Sequence, residues 1–186
     1  MSASLPRVTE ILQSVGLGPD FSAVPPAALE YARERGRAVH AAIEAEVYGY
    51  LDETTLSEDV RVRLDAYRRF VKESGYQTTH TEIEVASTTW RYRGHPDSIG
   101  WLGTPRTLLD WKATEAVFLD AAAYQLAGYR VAWNEQRPCY PIDAAAVVQL
   151  KGDGTYRVHE IDFARAEPVW LAACMVYHAK PRQEAA

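Results

Sequence analysis

The stretch Arg93-Gly-His-Pro-Asp-Ser-Ile99, with Thr107-Leu-Leu-Asp-Trp-Lys112 a few residues on, decides how this chain is read. Thr107–Lys112 is a short apolar run with the length and composition of a buried strand. Residues i and i+2 of a strand share a face, so Asp110 and Lys112 emerge together. Thr89–Leu102 reads as the preceding strand, interrupted at Gly94-His95-Pro96, and pairing of the two would set Asp97 beside Asp110. Carboxylates about 5 Å apart repel by roughly 3 kcal/mol at an effective dielectric of about 20, so something positive must sit on the pair. Hard oxygen ligands suit Mg²⁺ or Mn²⁺. Lys112 would lie next to that ion, placed to steady an attacking water or the charge growing on a phosphate. Alone, the triplet is weak. In a chain with 25 acids and 4 lysines among 186 residues, chance supplies about 0.5 acid-x-Lys triplets. The context adds weight, because an aspartate ending a buried Leu-Leu run needs a partner or a task.

Outward from this segment the pattern is mixed. Upstream, Val8–Val15 is a short helix ended by Gly16 and Gly18, and Gly18–Pro26 is a loop. Pro25-Pro26 opens a long helix over Ala27–Tyr50, with Tyr31, Val39, Ile43 and Val47 as its apolar face. Ser57 caps a helix over Ser57–Ser74, stopped by Gly75. Tyr76–Ser87 alternates as a strand. Downstream, Phe118–Gln136 is a helix, Ile142–Leu150 and Thr155–Ile161 form a hairpin across Lys151-Gly-Asp-Gly, and Ala164–Ala179 is a closing helix. The order α-α-α-β-β-β-α-β-β-α predicts an α/β fold, a mixed central sheet flanked by helices. The length suits one domain over 1–186, with a helical part to residue 75 and the sheet core after it.

Composition narrows the class. Hydrophobic residues are 47% and charged residues 24%, the balance of a globular chain. No apolar run approaches the ~18 residues of a membrane span, and the opening residues do not read as a secretory leader. The expected location is the cytoplasm of a bacterial cell or a phage-infected host. Cys139 and Cys174 read as reduced thiols and are too few for a four-thiolate cluster. The net charge of −5 argues against coating nucleic acid by bulk charge while leaving room for a local basic cleft.

Pro96-Asp97, then Asp110-Trp-Lys112, resembles the PD-(D/E)xK signature of metal-dependent nucleases. Gly36-Arg-Ala-Val-His40-Ala-Ala-Ile-Glu44 is similar to the Gly-x-x-x-His-x-x-x-Glu helix of the RecB-like and phage-type exonuclease branch. Gln125-Leu-Ala-Gly-Tyr129 matches its Gln-x-x-x-Tyr helix, and Pro6-Arg-Val-Thr-Glu-Ile-Leu12 resembles openings seen in phage members. The resemblance implies a restriction-endonuclease-like core and a Mg²⁺- or Mn²⁺-dependent DNA nuclease, an exonuclease in DNA processing, recombination or repair. It implies His40, Asp97, Asp110 and the Trp111 carbonyl as metal ligands, and Lys112 with Asp97 and Asp110 as catalytic residues. It places Gln125 and Tyr129 on a helix that supports the site and approaches DNA. No iron–sulfur cluster is expected, and no Walker A sequence is present. A single-strand annealing or binding protein is a candidate partner, and the oligomeric state is open.

Other residues extend the candidate site. Glu84 is a further acid on the strand before Asp97. Glu44, one turn after His40, either orients the imidazole or is solvated. Arg33 and Arg37 share the His40 face of their helix and either wall the cleft or face solvent. Arg91, Arg93 and Arg130 are candidate phosphate contacts, and His95 sits beside the motif. Arg61, Arg63, Arg68 and Arg69 are expected to face solvent. A second functional class stands beside the enzyme: a catalytically silent nuclease-fold module that binds DNA or a recombination partner. Intact Asp97, Asp110 and Lys112 argue against it.

Overall fold

A computed structural model describes residues 5–180. The ends of the predicted 1–186 domain, and the first residues of the segment read as lacking a leader, lie outside them. The elements are α1 (Val8–Ser14), α2 (Pro26–Tyr48), a 3₁₀ turn (Glu53–Thr55), α3 (Glu58–Ser74), β1 (Gln77–Thr81), β2 (Val85–Ser87), β3 (Tyr92–Gly94), β4 (Ser98–Trp101), β5 (Arg106–Lys112), α4 (Leu119–Gln136), β6 (Ala144–Leu150), β7 (Tyr156–Glu160) and α5 (Phe163–Ala179).

The predicted mixed sheet is present. Five strands lie in the order β1-β4-β5-β6-β7. The β5–β6 pair is parallel and the others are antiparallel. The parallel pair requires a crossover, which α4 supplies. The hairpin at 151–154 joins β6 to β7 as expected. Gly75 ends α3 in the left-handed conformation, at φ 69°, where a glycine has no Cβ to clash.

Two predicted strands are each split. Tyr76–Ser87 becomes β1 and β2, and Thr89–Leu102 becomes β3 and β4, with β2 and β3 forming a separate two-stranded sheet. The first break has a local cause. Glu82 takes φ 49°, and a left-handed residue turns the chain out of the strand direction. The second falls at His95-Pro96, where proline cannot donate to a ladder.

Helices pack on both faces of the large sheet. One core, under α1, α4 and α5, gathers Ile11, Leu108, Leu126, Trp133, Val147 and Trp170. The other, under α2 and α3, gathers Val39, Ile43, Leu64, Phe70, Leu109, Trp111 and Val148. Alternation along β5 sends Leu108 to the first and Leu109 and Trp111 to the second. Asp110 and Lys112 therefore share the Leu108 face. The apolar face expected of α2 shifts: Val39 and Ile43 are buried with Ala42 and Ala45, while Tyr31 and Val47 are exposed. The small buried alanines suit a close approach to α3, the element against which α2 packs. Arg63 also departs from expectation, being 2% exposed. Its charge is met by Asp59 one turn back and by Glu115 at 3.2 Å, which is what lets a guanidinium be buried.

Candidate active site

The antiparallel register places Ser98 opposite Leu109. Asp97, just before β4, therefore meets Asp110 near the end of β5, as the spacing predicted. Asp97 is anchored by the main chain: its Oδ2 accepts a hydrogen bond from Trp111 N–H at 2.8 Å. The segment before it is anchored by a close approach. A Cβ on Gly94 would lie 2.3 Å from a ring carbon of Tyr129, so only glycine fits there. Gln125 Nε2 donates to the Tyr129 hydroxyl at 2.8 Å. The Gln-x-x-x-Tyr pair on α4 thus holds the strand that delivers Asp97.

Asp110 and Lys112 meet as the i, i+2 spacing requires. The ammonium lies 2.9 Å from Oδ1 and 2.8 Å from Oδ2 of Asp110. Asp110 is 2% exposed, and its Oδ2 makes no aligned hydrogen bond. Burial pushes the Asp110 carboxyl up, against the pull of Lys112. Burial works against the Lys112 charge, but Asp110 and then Asp97 outweigh it and raise the amine. Lys112 is held as an ammonium.

His40 reaches this corner from α2, on the other side of the sheet. Its Nε2 lies 2.8 Å from the Trp111 carbonyl oxygen, while Nδ1 faces Asp97 Oδ1 at 3.6 Å and Glu82 Oε1 at 3.8 Å. Burial disfavours the imidazolium. Asp97, Glu82, the Trp111 carbonyl and Asp110 overcome it and raise His40 to about 9. These groups orient the imidazole, and Glu44 makes no hydrogen bond to it among the described residues. Glu44 lines the adjoining groove with Arg37 and Lys112.

His40, Glu82 and Asp97 each offer a ligand atom, all within 4.8 Å of one another. An imidazole, two carboxylates and the Trp111 carbonyl fit a hard divalent ion of the Mg²⁺ or Mn²⁺ type. The buried Asp110 carboxylate, held by Lys112, lies close enough to Asp97 to feel its charge. Glu82 was not anticipated. The acid singled out, Glu84, pairs instead with Arg93 at 3.0 Å and His95 at 3.6 Å. An acid with φ 49° in a half-buried turn stores backbone strain, but that turn is invisible in the residue string.

The expected basic residues are mostly committed elsewhere. Arg33 and Arg37 pair with Glu30 and are exposed, with Arg37 on the rim of the groove. Arg93 binds Glu84 and the Leu5 carbonyl. Arg130 binds Glu167 and the Ile142 carbonyl and lies over the Phe163 ring, so it buttresses α5 rather than facing the site. Arg35, not singled out from sequence, donates to the Ala113 carbonyl at 3.0 Å. Together with His40, it fixes the main chain on either side of Lys112.

No protein-family model matches the chain, and the curated proteins give no match. Among solved structures, SSO0001 is 15% identical over 81% of this chain and 74% of its own, with a TM-score of 0.36. The alkaline exonuclease LHK-Exo from Laribacter hongkongensis is 16% identical, over 92% of this chain and 77% of its own, with a TM-score of 0.39. The same exonuclease in complex with dAMP gives 14%, 94%, 88% and 0.37 in the same order. Likenesses this loose carry no activity with them.

Proposed function

We propose that the protein is a divalent-cation-dependent deoxyribonuclease that removes nucleotides from DNA ends. The observation that carries this reading is the meeting of His40 on α2, Glu82 just after β1 and Asp97 just before β4, beside the buried Asp110–Lys112 pair. A structural ion pair would not need two further carboxylates and a histidine gathered around it. The resemblance of these residues to the PD-(D/E)xK signature supports the same chemistry.

A bound Mg²⁺ or Mn²⁺ would supply the Lewis acid for phosphodiester hydrolysis. Asp97, Glu82, His40 and the Trp111 carbonyl would hold it, with Asp110 alongside. Lys112 keeps its proton next to Asp110, so its role is electrostatic: it steadies charge as it grows on the phosphate oxygens. The Asp97–Trp111 hydrogen bond fixes the carboxylate against the strand that carries Lys112, which limits reorganisation during the reaction.

The test is digestion of end-labelled linear DNA and covalently closed circles with Mg²⁺, with Mn²⁺ and with EDTA. Loss of linear DNA from its ends, dependent on added cation and absent in Asp110→Asn, is the expected result. Full cleavage in EDTA would remove the reading. Discrete fragments from the circle would make the enzyme an endonuclease.

A further inference from the structure

Lys112 is part of the wall of two cavities. On the α2 side it lines the groove that holds His40 and Glu82. On the α4 side it lines a second cavity, of about 260 Å³, bounded by α1, the loop before α2, the segment after β5 and the first turns of α4. The two differ in chemistry. The first carries Arg37, Glu44 and Glu82 besides Lys112. In the second, among the described residues, Lys112 is the one charged group. Leu12 and Val117 belong to its wall, with Phe21 and Phe118, whose rings pack edge to face at 5.3 Å. Gln13 and Gln125 add amide groups.

We propose that this second cavity receives one nucleobase of the strand whose phosphate lies at Lys112. This rests on the nuclease reading and names how that site engages its substrate. A phosphodiester held at Lys112 carries a base one sugar away, and Lys112 also lines this cavity. Its volume of about 260 Å³ has room for a single planar base. Aromatic and aliphatic walls accept the π-face of any base. A glutamine amide both donates and accepts, so Gln13 can meet a base edge without selecting a sequence. With its amine given to the Tyr129 hydroxyl, Gln125 still offers its carbonyl oxygen.

Equilibrium binding of thymidine 5′-monophosphate and of 2-deoxyribose 5-phosphate, measured by calorimetry, tests this. The nucleotide should bind at least ~10-fold more tightly, within the range that base stacking on aromatic side chains supplies. In Phe118→Ala the ratio should fall below ~3-fold. Phe21→Ala, at the edge-to-face partner, should give the same fall if the first variant does not fold. Equal binding of the two probes by the parent protein overturns the inference, as does an undiminished ratio in a folded variant. Cleavage of linear DNA with Mg²⁺ separates the two ideas. Cleavage with equal probe binding sinks the base cavity alone, whereas no cleavage by the parent protein sinks both.

Discussion

The imidazole of His40 reaches across 71 residues of sequence to place Nε2 at 2.8 Å from the Trp111 carbonyl oxygen. One helix residue thereby meets the main chain between the two residues, Asp110 and Lys112, on which the proposed chemistry depends. Without a cation, the same nitrogen donates a proton to a carbonyl that the proposed metal shell would use. Ion binding therefore competes with a hydrogen bond and with a proton.

That competition gives the first expected outcome. His40 is raised to about 9, so below that pH it is an imidazolium, which cannot ligate. Mn²⁺ binding should strengthen as pH rises from 7 toward 9 and should release about one proton per ion from His40 near pH 8. Calorimetric titrations in buffers of different ionisation enthalpy count that proton. His40→Ala should remove it and weaken binding at least ~10-fold. The midpoint sits well above the ordinary histidine value of 6.5.

The same shift predicts a stability profile in EDTA. A folded value of about 9 against an ordinary 6.5 means the contribution is complete below pH 6.5 and lost as pH rises through 9. Tm should fall across that window, and His40→Ala should flatten the fall. A parent protein with level Tm from pH 6 to 9 would contradict it.

Asp110 and Lys112 are tied together at 2.8 Å with the carboxylate buried. Asp110→Ala strands an ammonium and should destabilise the protein by about 3 kcal/mol as well as abolishing cleavage. Relief of repulsion with Asp97, the stabilising effect that two adjacent carboxylates suggest from sequence, is outweighed by this loss. Chemical denaturation of the variant in EDTA checks the sign.

Glu82 carries the strained turn. Glu82→Gly should hold stability level or raise it by up to ~1 kcal/mol, because glycine tolerates φ 49° without strain. Cleavage should nevertheless fall at least ~10-fold with the carboxylate gone. Glu82→Ala should fall equally in rate and be the less stable of the two. Thermal melts beside initial rates separate the effects.

Much of this site could be read in the string because strand geometry is regular. The i, i+2 rule placed Asp110 with Lys112, and pairing of adjacent strands brought Asp97 to them. Nothing as regular announced Glu82. The alternation of Thr, Ile and Val runs on past it, so Tyr76–Ser87 reads as one strand, and the left-handed residue that breaks it leaves no mark in composition. Arg63 was misjudged for a related reason. Its partners are one helical turn and 52 residues away, and a burial arranged by a distant glutamate has no local signature.

Gly94→Ala would push a methyl group into Tyr129, 2.3 Å from a ring carbon. The expected loss is ~1–3 kcal/mol, with a fall in cleavage because the displaced segment leads straight to Asp97. Adding Tyr129→Leu should recover part of the stability. A double variant no more stable than the single would show that the two residues do not press on each other.

The crossover through α4 has a consequence for how the molecule is made. His40 leaves the ribosome long before Trp111, and β5 is flanked on one side by β6, which follows only after all of α4. A nascent chain ending before residue 112 holds one ligand on a helix and two beside the β1–β4 pair, and it lacks the β6 neighbour of β5. Bringing such distant segments together is the slow step in folds built on non-local pairing. Cation affinity should therefore arise abruptly, late in synthesis, when the parallel pair closes. An amino-terminal fragment that lacks β6 should then bind the proposed cation more weakly than the full chain.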